Sequence, residues 1–208
     1  MKAMKVLVAT RNAGKLAEYR AILAGLGLEA ISLDEAGVDP SRDVAEDGET
    51  FEQNAHIKAI ALQEAFPAGW TLADDSGLSV DALGGRPGVY SARFAGVEGK
   101  GPRVDRANLD QLLAELERTP EERRSARFVC AIEMRGPAGE VLTARGACEG
   151  RILCAPRGTG GFGYDPVFLP VGGDRTMAEL PMEQKNHISH RGKALAVLMP
   201  KLAQLLQR

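Results

Sequence analysis

Two carboxylates stand side by side, Asp74 and Asp75, in the stretch Leu72-Ala-Asp-Asp-Ser-Gly-Leu78. The apolar residues before them read as the end of a buried strand. Like charges repel, and a buried carboxylate without a partner is costly. The pair therefore calls for something positive nearby, either a metal ion or a basic side chain. Carboxylate oxygens suit Mg²⁺, which takes one or two of them and bridges to substrate phosphates. Four more acids, Glu46, Asp47, Glu49 and Glu52, lie before and at the start of a helix. Loop carboxylates of that kind are ordinarily solvated surface.

Three further segments carry candidate chemistry. Val8-Ala-Thr-Arg-Asn-Ala-Gly-Lys15 runs from a strand end into a helix start. Backbone N–H groups at a helix N-terminus bind phosphate, and Lys15 adds a charge. A Walker loop is excluded, because Ala9 stands where its leading glycine belongs and Leu16 where its magnesium-binding hydroxyl belongs. The plain alternative is a capped loop with a surface lysine. Gly158-Thr-Gly-Gly-Phe-Gly-Tyr-Asp165 contains the letters of a dinucleotide fingerprint, but Asp165-Pro166 and an apolar strand-like run follow where a helix is required. It reads as a structural glycine loop, or as a loop presenting Phe162, Tyr164 and Asp165 to a flat ligand such as a base. Gln184 to Leu195 gathers Lys185, His187, His190, Arg191 and Lys193. His187 and His190 are spaced for a helical metal pair, but no third ligand matches. What remains is a solvated basic helix start, or a site for phosphate or a purine carbonyl oxygen.

The elements that must position these groups follow from periodicity. Met4–Ala9 is a short apolar run of the kind buried on both faces of a sheet. Leu16, Tyr19, Ile22 and Leu23 then share one helical face, with stop signals at Gly25 and Gly27. Leu28–Leu33 reads as a second strand, so the chain opens β-α-β with parallel pairing and a right-handed crossover. Residues 34–49 form a polar loop with turns at Asp39-Pro40 and Asp47-Gly48. Thr50 caps a helix that ends at Pro67. Trp70–Asp75 is the third strand. Residues 81–103, rich in Gly, Pro and Arg, form an ordered loop with a short element at Gly88–Phe94, followed by a helix at Val104–Glu117. The period then changes to two: Ala126–Gly136 and Glu140–Gly150 flank a Pro137-Ala-Gly139 turn as a β-hairpin. A strand, the glycine loop and another strand come next. The chain closes on a helix with a kink expected at Pro200. This is an α/β chain in two lobes on one mixed sheet, and a cleft between lobes is a natural ligand site.

Composition bounds the function. The chain has 208 residues, 44% hydrophobic and 26% charged, with a formal net charge of −2. That balance is ordinary for a globular protein and exerts no global pull toward nucleic acid or membrane. No apolar run reaches the roughly 20 residues that span a bilayer, and the N-terminal run is too short and strand-like for a signal peptide. Cys130, Cys148 and Cys154 have no metal-binding spacing and an odd count, which suggests buried or half-buried free thiols in a reducing cytoplasm.

Taken together, the segments resemble one family: the inosine/xanthosine triphosphate pyrophosphatases, which remove aberrant purine nucleotides. The resemblance runs in order through Thr10–Lys15, Glu49–Ala59, Ala73–Phe94, Gly158–Phe168 and Lys185–Leu195, nearly the whole chain. Each stretch alone is weak; five in sequence are specific. Arg11 departs from the pattern, standing where glycine or serine is common, and is not expected to touch the chemistry. The resemblance implies an elongated mixed β-sheet flanked by helices, two lobes with the active site in the cleft between them, a cytoplasmic homodimer and an Mg²⁺-dependent reaction. The triphosphate is cut between its α- and β-phosphates. By position, Asp75 matches the general base and helps hold the metal, and Glu46 matches a metal-side carboxylate. Thr10, Arg11, Asn12, Ala13, Gly14 and Lys15 match the phosphate loop. Ser76, Phe162, Gly163, Tyr164, Asp165, Lys185, His190 and Arg191 match nucleotide contacts. Chemistry adds Lys58, on the helix after the acidic loop, as a second cation for the triphosphate. Donors such as Arg191 facing O6, and Asp165 facing N1–H, would favour hypoxanthine and xanthine over adenine. Two other readings compete. One is a pyrophosphatase for other modified nucleotides. The other is a nucleic-acid-binding module built on the basic C-terminal segment, which the near-neutral charge and the lack of an aromatic-basic stripe disfavour.

Overall fold

The computed structural model describes residues 3–39 and 44–207. Pro40 of the expected Asp39-Pro40 turn lies outside the described residues. The main elements are β1 (Met4–Val8), α1 (Ala13–Gly25), β2 (Leu28–Ile31), α2 (Phe51–Ala65), β3 (Trp70–Val80), α3 (Pro102–Glu115), β4 (Ser125–Arg135), β5 (Val141–Ile152), β6 (Phe168–Pro170), α4 (Met182–Ile188) and α5 (His190–Leu206). The strands form one six-stranded sheet in the order β2-β1-β3-β4-β5-β6. β1 pairs in parallel with β2 and β3, whereas β6 lies antiparallel to β5. The expected mixed α/β sheet and the parallel β-α-β opening are both present.

Local chemistry explains the helix ends. Asn12 caps α1 by accepting the Lys15 N–H, and the chain leaves that helix through Gly25 and Gly27, the latter at φ 75°. Such a left-handed exit is the one glycine makes without strain. α2 starts with a full capping box: Thr50 accepts the Gln53 N–H and the Gln53 side chain returns to the Thr50 N–H. The short element in the 81–103 loop is a 3₁₀ turn at Gly88–Arg93. β4 and β5 flank a tight turn in which Gly136 N–H donates to the Glu140 carbonyl at 3.0 Å.

Three expectations need correction. The third strand does not end at Asp75 but runs on to Val80, so the acidic pair lies inside it. Arg151 and Ile152 do not begin a new strand; they finish β5. Cys154 is exposed, although Cys130 and Cys148 are buried free thiols as expected. Pro200 lies within α5, which continues to Leu206.

The chain folds as two compact units. The first contains the described residues up to Asp75, Cys130–Gly146, and the chain from Arg191 onward; the second contains Ser76–Val129 and Ala147–His190. In the first unit the strand period of two divides β1 between opposite faces. Val6 and Val8 join Trp70, Leu72, Cys130, Ile132 and Met134 under Tyr19 and Leu23 of α1 and Leu195 and Leu198 of α5. Leu7 and Ile31 pack on Leu62 of α2 instead. The second unit has its own core, where Leu78, Val80, Phe128, Ile152 and Phe168 of the strands meet Leu109 and Leu112 of α3.

Candidate active site

In the first unit, β3 sends Trp70 and Leu72 into the face covered by α1 and α5. The same alternation places Asp74 on that face and Asp75 on the face toward α2. Neighbours in sequence are thus separated by the thickness of the strand, and each finds its own cations. Asp74, only 1% exposed, accepts from Lys15 Nζ at 3.1 Å through Oδ2 and has Arg191 Nε at 3.5 Å from the same oxygen. Asp75 accepts from Lys58 Nζ at 3.0 Å through Oδ1 and from Asn54 Nδ2 at 3.2 Å through Oδ2. Lys58 also donates to Glu46 Oε2 at 3.2 Å.

Helical spacing explains the delivery. Asn54 and Lys58 are four residues apart on α2 and project from one face. Lys15 and Glu18 are likewise a turn apart on α1, and Glu18 accepts from Arg191 Nη1 at 2.8 Å. Asn54 also accepts the Gly48 N–H at 2.8 Å, which ties the acidic loop to the helix that carries Lys58. The positive partner that the acidic pair requires is therefore supplied by side chains, Lys15 and Arg191 on one face and Lys58 on the other.

The two carboxylates have opposite electrostatics. Burial opposes the charge on Asp74, but Lys15, then Arg191 and Lys58, together outweigh it, and its pKa falls well below the ordinary carboxylate value. For Asp75 burial dominates; Lys58 and Lys15 offset it only in part, and its pKa rises. Burial would lower the pKa of Lys58, yet Asp75, Asp74 and Glu46 overcome that and raise it. The site thus keeps a permanent anion and a more basic carboxylate side by side, which is how adjacent acids are given different roles. Beneath them, burial first and Asp74 second push the Cys130 thiol up to about 12, so it is held as an inert thiol.

The donor set fits a hard divalent cation. Asp74 Oδ1 is buried and has no hydrogen-bond partner among the described residues. Among those residues no three His, Cys, Asp or Glu side chains cluster as a metal cage. A cation that uses one or two carboxylates and completes its shell with water and phosphate needs no such cage.

The segment Thr10–Lys15, expected as a phosphate loop, forms a turn into α1. Thr10 Oγ1 accepts the Asn12 N–H at 3.1 Å, and Asn12 Oδ1 accepts the Lys15 N–H at 3.0 Å. Ala13 and Gly14 open the helix, and the Arg11 side chain points to solvent.

The second unit holds the glycine loop. Asp165, 4% exposed, accepts the Phe162 N–H at 2.9 Å and Lys185 Nζ at 2.6 Å on one oxygen. Lys185 Nζ lies 5.0 Å from the centroid of the Phe162 ring, a cation–π distance. Gly161 has φ 70°, and a Cβ there would run into the Asp165 carboxylate, so the loop closes on this acid only with glycine. The two rings differ. Phe162 is half-buried, but Tyr164 is in the core and its hydroxyl donates to the Ser91 carbonyl at 2.9 Å. Only Phe162 is presented. Gly163 N–H reaches Asp105 Oδ2 at 3.2 Å. Ser76 is half-buried in β3.

The basic C-terminal segment is not a solvated helix start. Lys185, His190 and Arg191 are 5%, 5% and 3% exposed. His190 stacks on Phe128 with ring centroids 5.0 Å apart, while His187 points to solvent. The structure groups Arg191 with Glu18 and Asp74 in the first unit. Of the sequence candidates, it brings together Lys15, Glu46, Lys58, Asp75 and Arg191 in the first unit, and Phe162, Gly163, Asp165 and Lys185 in the second. Sequence reasoning missed Asn54 and Glu18. The four-residue step from Asn54 to Lys58 could have revealed the first; nothing short of the fold pairs Glu18 with Arg191.

The model of the Ham1 family matches residues 6–201. The chain is 49% identical over 203 residues to the dITP/XTP pyrophosphatase of Exiguobacterium sibiricum, covering 98% of this chain and 99% of that protein. It is 52% identical over 196 residues to the dITP/XTP pyrophosphatase of Geobacter sulfurreducens, covering 93% and 94%. Among solved structures, the Ham1 protein of Staphylococcus aureus superposes with a TM-score of 0.80 at 41% identity, over 96% of this chain and 98% of that one.

Proposed function

The chain belongs to the Ham1 family, and on that premise we propose that it hydrolyses deaminated purine nucleoside triphosphates, those of inosine, deoxyinosine and xanthosine. The products are the monophosphate and pyrophosphate, which keeps these bases out of DNA and RNA. The names of its relatives support this substrate class. The observation that carries the reading is the opposed pair in β3: Asp74 with Lys15 Nζ at 3.1 Å and Arg191 Nε at 3.5 Å, and Asp75 with Lys58 Nζ at 3.0 Å and Asn54 Nδ2 at 3.2 Å.

The chemistry follows from those groups. Asp75 takes a proton from water as the water oxygen bonds to the α-phosphorus. The bond from that phosphorus to the bridging oxygen breaks, and pyrophosphate leaves with the electron pair. Lys15 and the N-terminus of α1 hold phosphate oxygens, and Lys58 supplies a second cation beside the base. Thr10 to Gly14 shape the turn that presents that helix end. Glu46 and Asp75, which meet at Lys58 on the face toward α2, would hold Mg²⁺, which would neutralise charge on the phosphates. In the second unit, Phe162 offers a face to the purine, and Gly163, Tyr164, Asp165, Lys185 and His190 form and support its polar edge. Ser76 and Arg191 complete the nucleotide contacts. A single pyrophosphatase domain acting as a cytoplasmic homodimer belongs to the same reading.

The test is turnover of a nucleoside triphosphate panel with Mg²⁺, with pyrophosphate and orthophosphate assayed separately. Pyrophosphate from inosine and xanthosine triphosphates, with little from ATP or GTP, is the expected result. Orthophosphate as the primary product would mean attack at the γ-phosphate and would overturn the role given to Asp75.

A further inference from the structure

α3 carries two polar side chains that reach the loops of the second unit. Asp105, in its first turn, accepts the Gly163 N–H through Oδ2 at 3.2 Å. Asn108, one turn later and 3% exposed, accepts the Ala95 N–H at 2.8 Å and donates to the Ala92 carbonyl at 3.1 Å. A third tie joins the same two loops directly, from the Tyr164 hydroxyl to the Ser91 carbonyl. Burial, and then the nearby charge of Asp105, keep that phenol protonated and so able to donate. The helix itself is anchored by Leu109 and Leu112 in the core. One rigid element therefore holds both the 91–95 turn and the glycine loop.

That loop needs holding. Gly158, Gly161 and Gly163 all sit at positive φ, and a glycine-rich segment has many alternative conformations when untethered. Phe162 is flanked by Gly161 and Gly163, so its ring direction depends on where the Gly163 amide is fixed.

We propose that Asp105 and Asn108 are positioning residues for base recognition: α3 sets the presentation of Phe162, and through it the base-dependent part of substrate binding. This rests on the function proposed above. Both residues lie in the second unit and bond only its loops, so their loss reduces the fraction of molecules with a competent loop. The apparent dissociation constant rises by the inverse of that fraction. Losing one ordinary hydrogen bond lowers the loop equilibrium about fivefold, which is the ceiling of this effect.

The experiment compares Asp105→Ala, Asp105→Asn and Asn108→Asp with the wild type, measuring kcat and KM for inosine triphosphate and for ATP, with thermal melts alongside. Asp105→Ala is expected to raise KM for inosine triphosphate by about two- to fivefold with kcat within about twofold, and to narrow the preference over ATP. Asp105→Asn keeps an acceptor for the Gly163 amide and should restore most of the loss. Asn108→Asp keeps the acceptor for Ala95 but loses the donor to Ala92, and should fall between. An unchanged KM in Asp105→Ala, or a loss confined to kcat, would overturn the inference and leave the function standing. Should Asp105→Ala not fold, an Asp105→Asn enzyme as impaired in KM as Asn108→Asp would overturn it equally. A wild type that ignores inosine triphosphate would remove the function itself.

Discussion

Replacing Asp74 and Asp75 singly by Asn should give opposite results, although the residues are adjacent and the side chains nearly isosteric. Asp74 is 1% exposed, with Lys15 Nζ at 3.1 Å and Arg191 Nε at 3.5 Å. Breaking a buried pair by removing one partner costs about 3–5 kcal/mol. Two features place Asp74→Asn at the low end. Lys15 is 18% exposed and can turn its ammonium toward water, and Arg191 keeps Glu18 at 2.8 Å. A loss of about 3 kcal/mol lowers Tm by roughly 6–12 °C in a chain of this size. Asp75 has a raised pKa, so its surroundings disfavour its charge on balance. Asp75→Asn removes that burden, still offers an oxygen to Lys58, and leaves Lys58 paired with Glu46 at 3.2 Å. Its stability should stay within about 1 kcal/mol of wild type, or rise. Turnover should fall by about 10²–10⁴, the usual contribution of a general base. The assay is urea denaturation at neutral pH for both variants, with inosine triphosphate hydrolysis on the same preparations. Asp75→Asn destabilised as much as Asp74→Asn, or Asp74→Asn with wild-type stability, would refute the assignment of one permanently ionised acid and one basic acid.

Acid titration should separate the same two groups. The pKa of Asp74 is depressed in the folded state, so its stabilisation is present above the unfolded value of about 3.9 and is lost as pH falls through the folded value. The gap in urea midpoint between wild type and Asp74→Asn should therefore close progressively below about pH 4. The acid limb of kcat/KM should report Asp75, and Lys58→Met should shift the limb of the residual activity higher, because Lys58 is the strongest lowering influence on Asp75. Thr50→Ala removes the capping box of α2 and should cost about 1 kcal/mol, read as a Tm drop with kcat little changed.

The elements whose signals are local were legible in the sequence. Thr50 with Gln53, Asn12 before Ala13, and Gly25 with Gly27 mark helix ends through hydrogen bonds made within a few residues, and the structure makes them. β3 was read too short because Asp, Ser and Gly are poor strand formers alone; here β3 continues through them with β4 as its neighbour in the sheet. The need for a cation beside Asp74 and Asp75 was also legible, but not which cation. Lys15 is 59 positions from Asp74, and only the packing of α1 and α5 on one face brings it and Arg191 there. The burial of Lys185 was hidden for the same reason, since its partner Asp165 is 20 positions away across a glycine loop. Tyr164 and Phe162 looked equivalent on paper; the tie from Tyr164 to Ser91 makes one an anchor and leaves the other presented.

The alternation along β3 also dictates which insertions and deletions this gene can survive. Dropping one residue between Leu72 and Asp74 would exchange the faces of the two acids, leaving a carboxylate on each face but carrying the residues beyond them, Ser76 to Val80, to the wrong faces as well. It would also turn Trp70 or Leu72 away from their core. A two-residue change keeps every side chain on its face and shifts only the distance along the strand. Length variation at this point of the chain should accordingly be confined to the loops before Trp70 and after Val80, and a library of single-codon deletions across 70–80 should yield no active survivors.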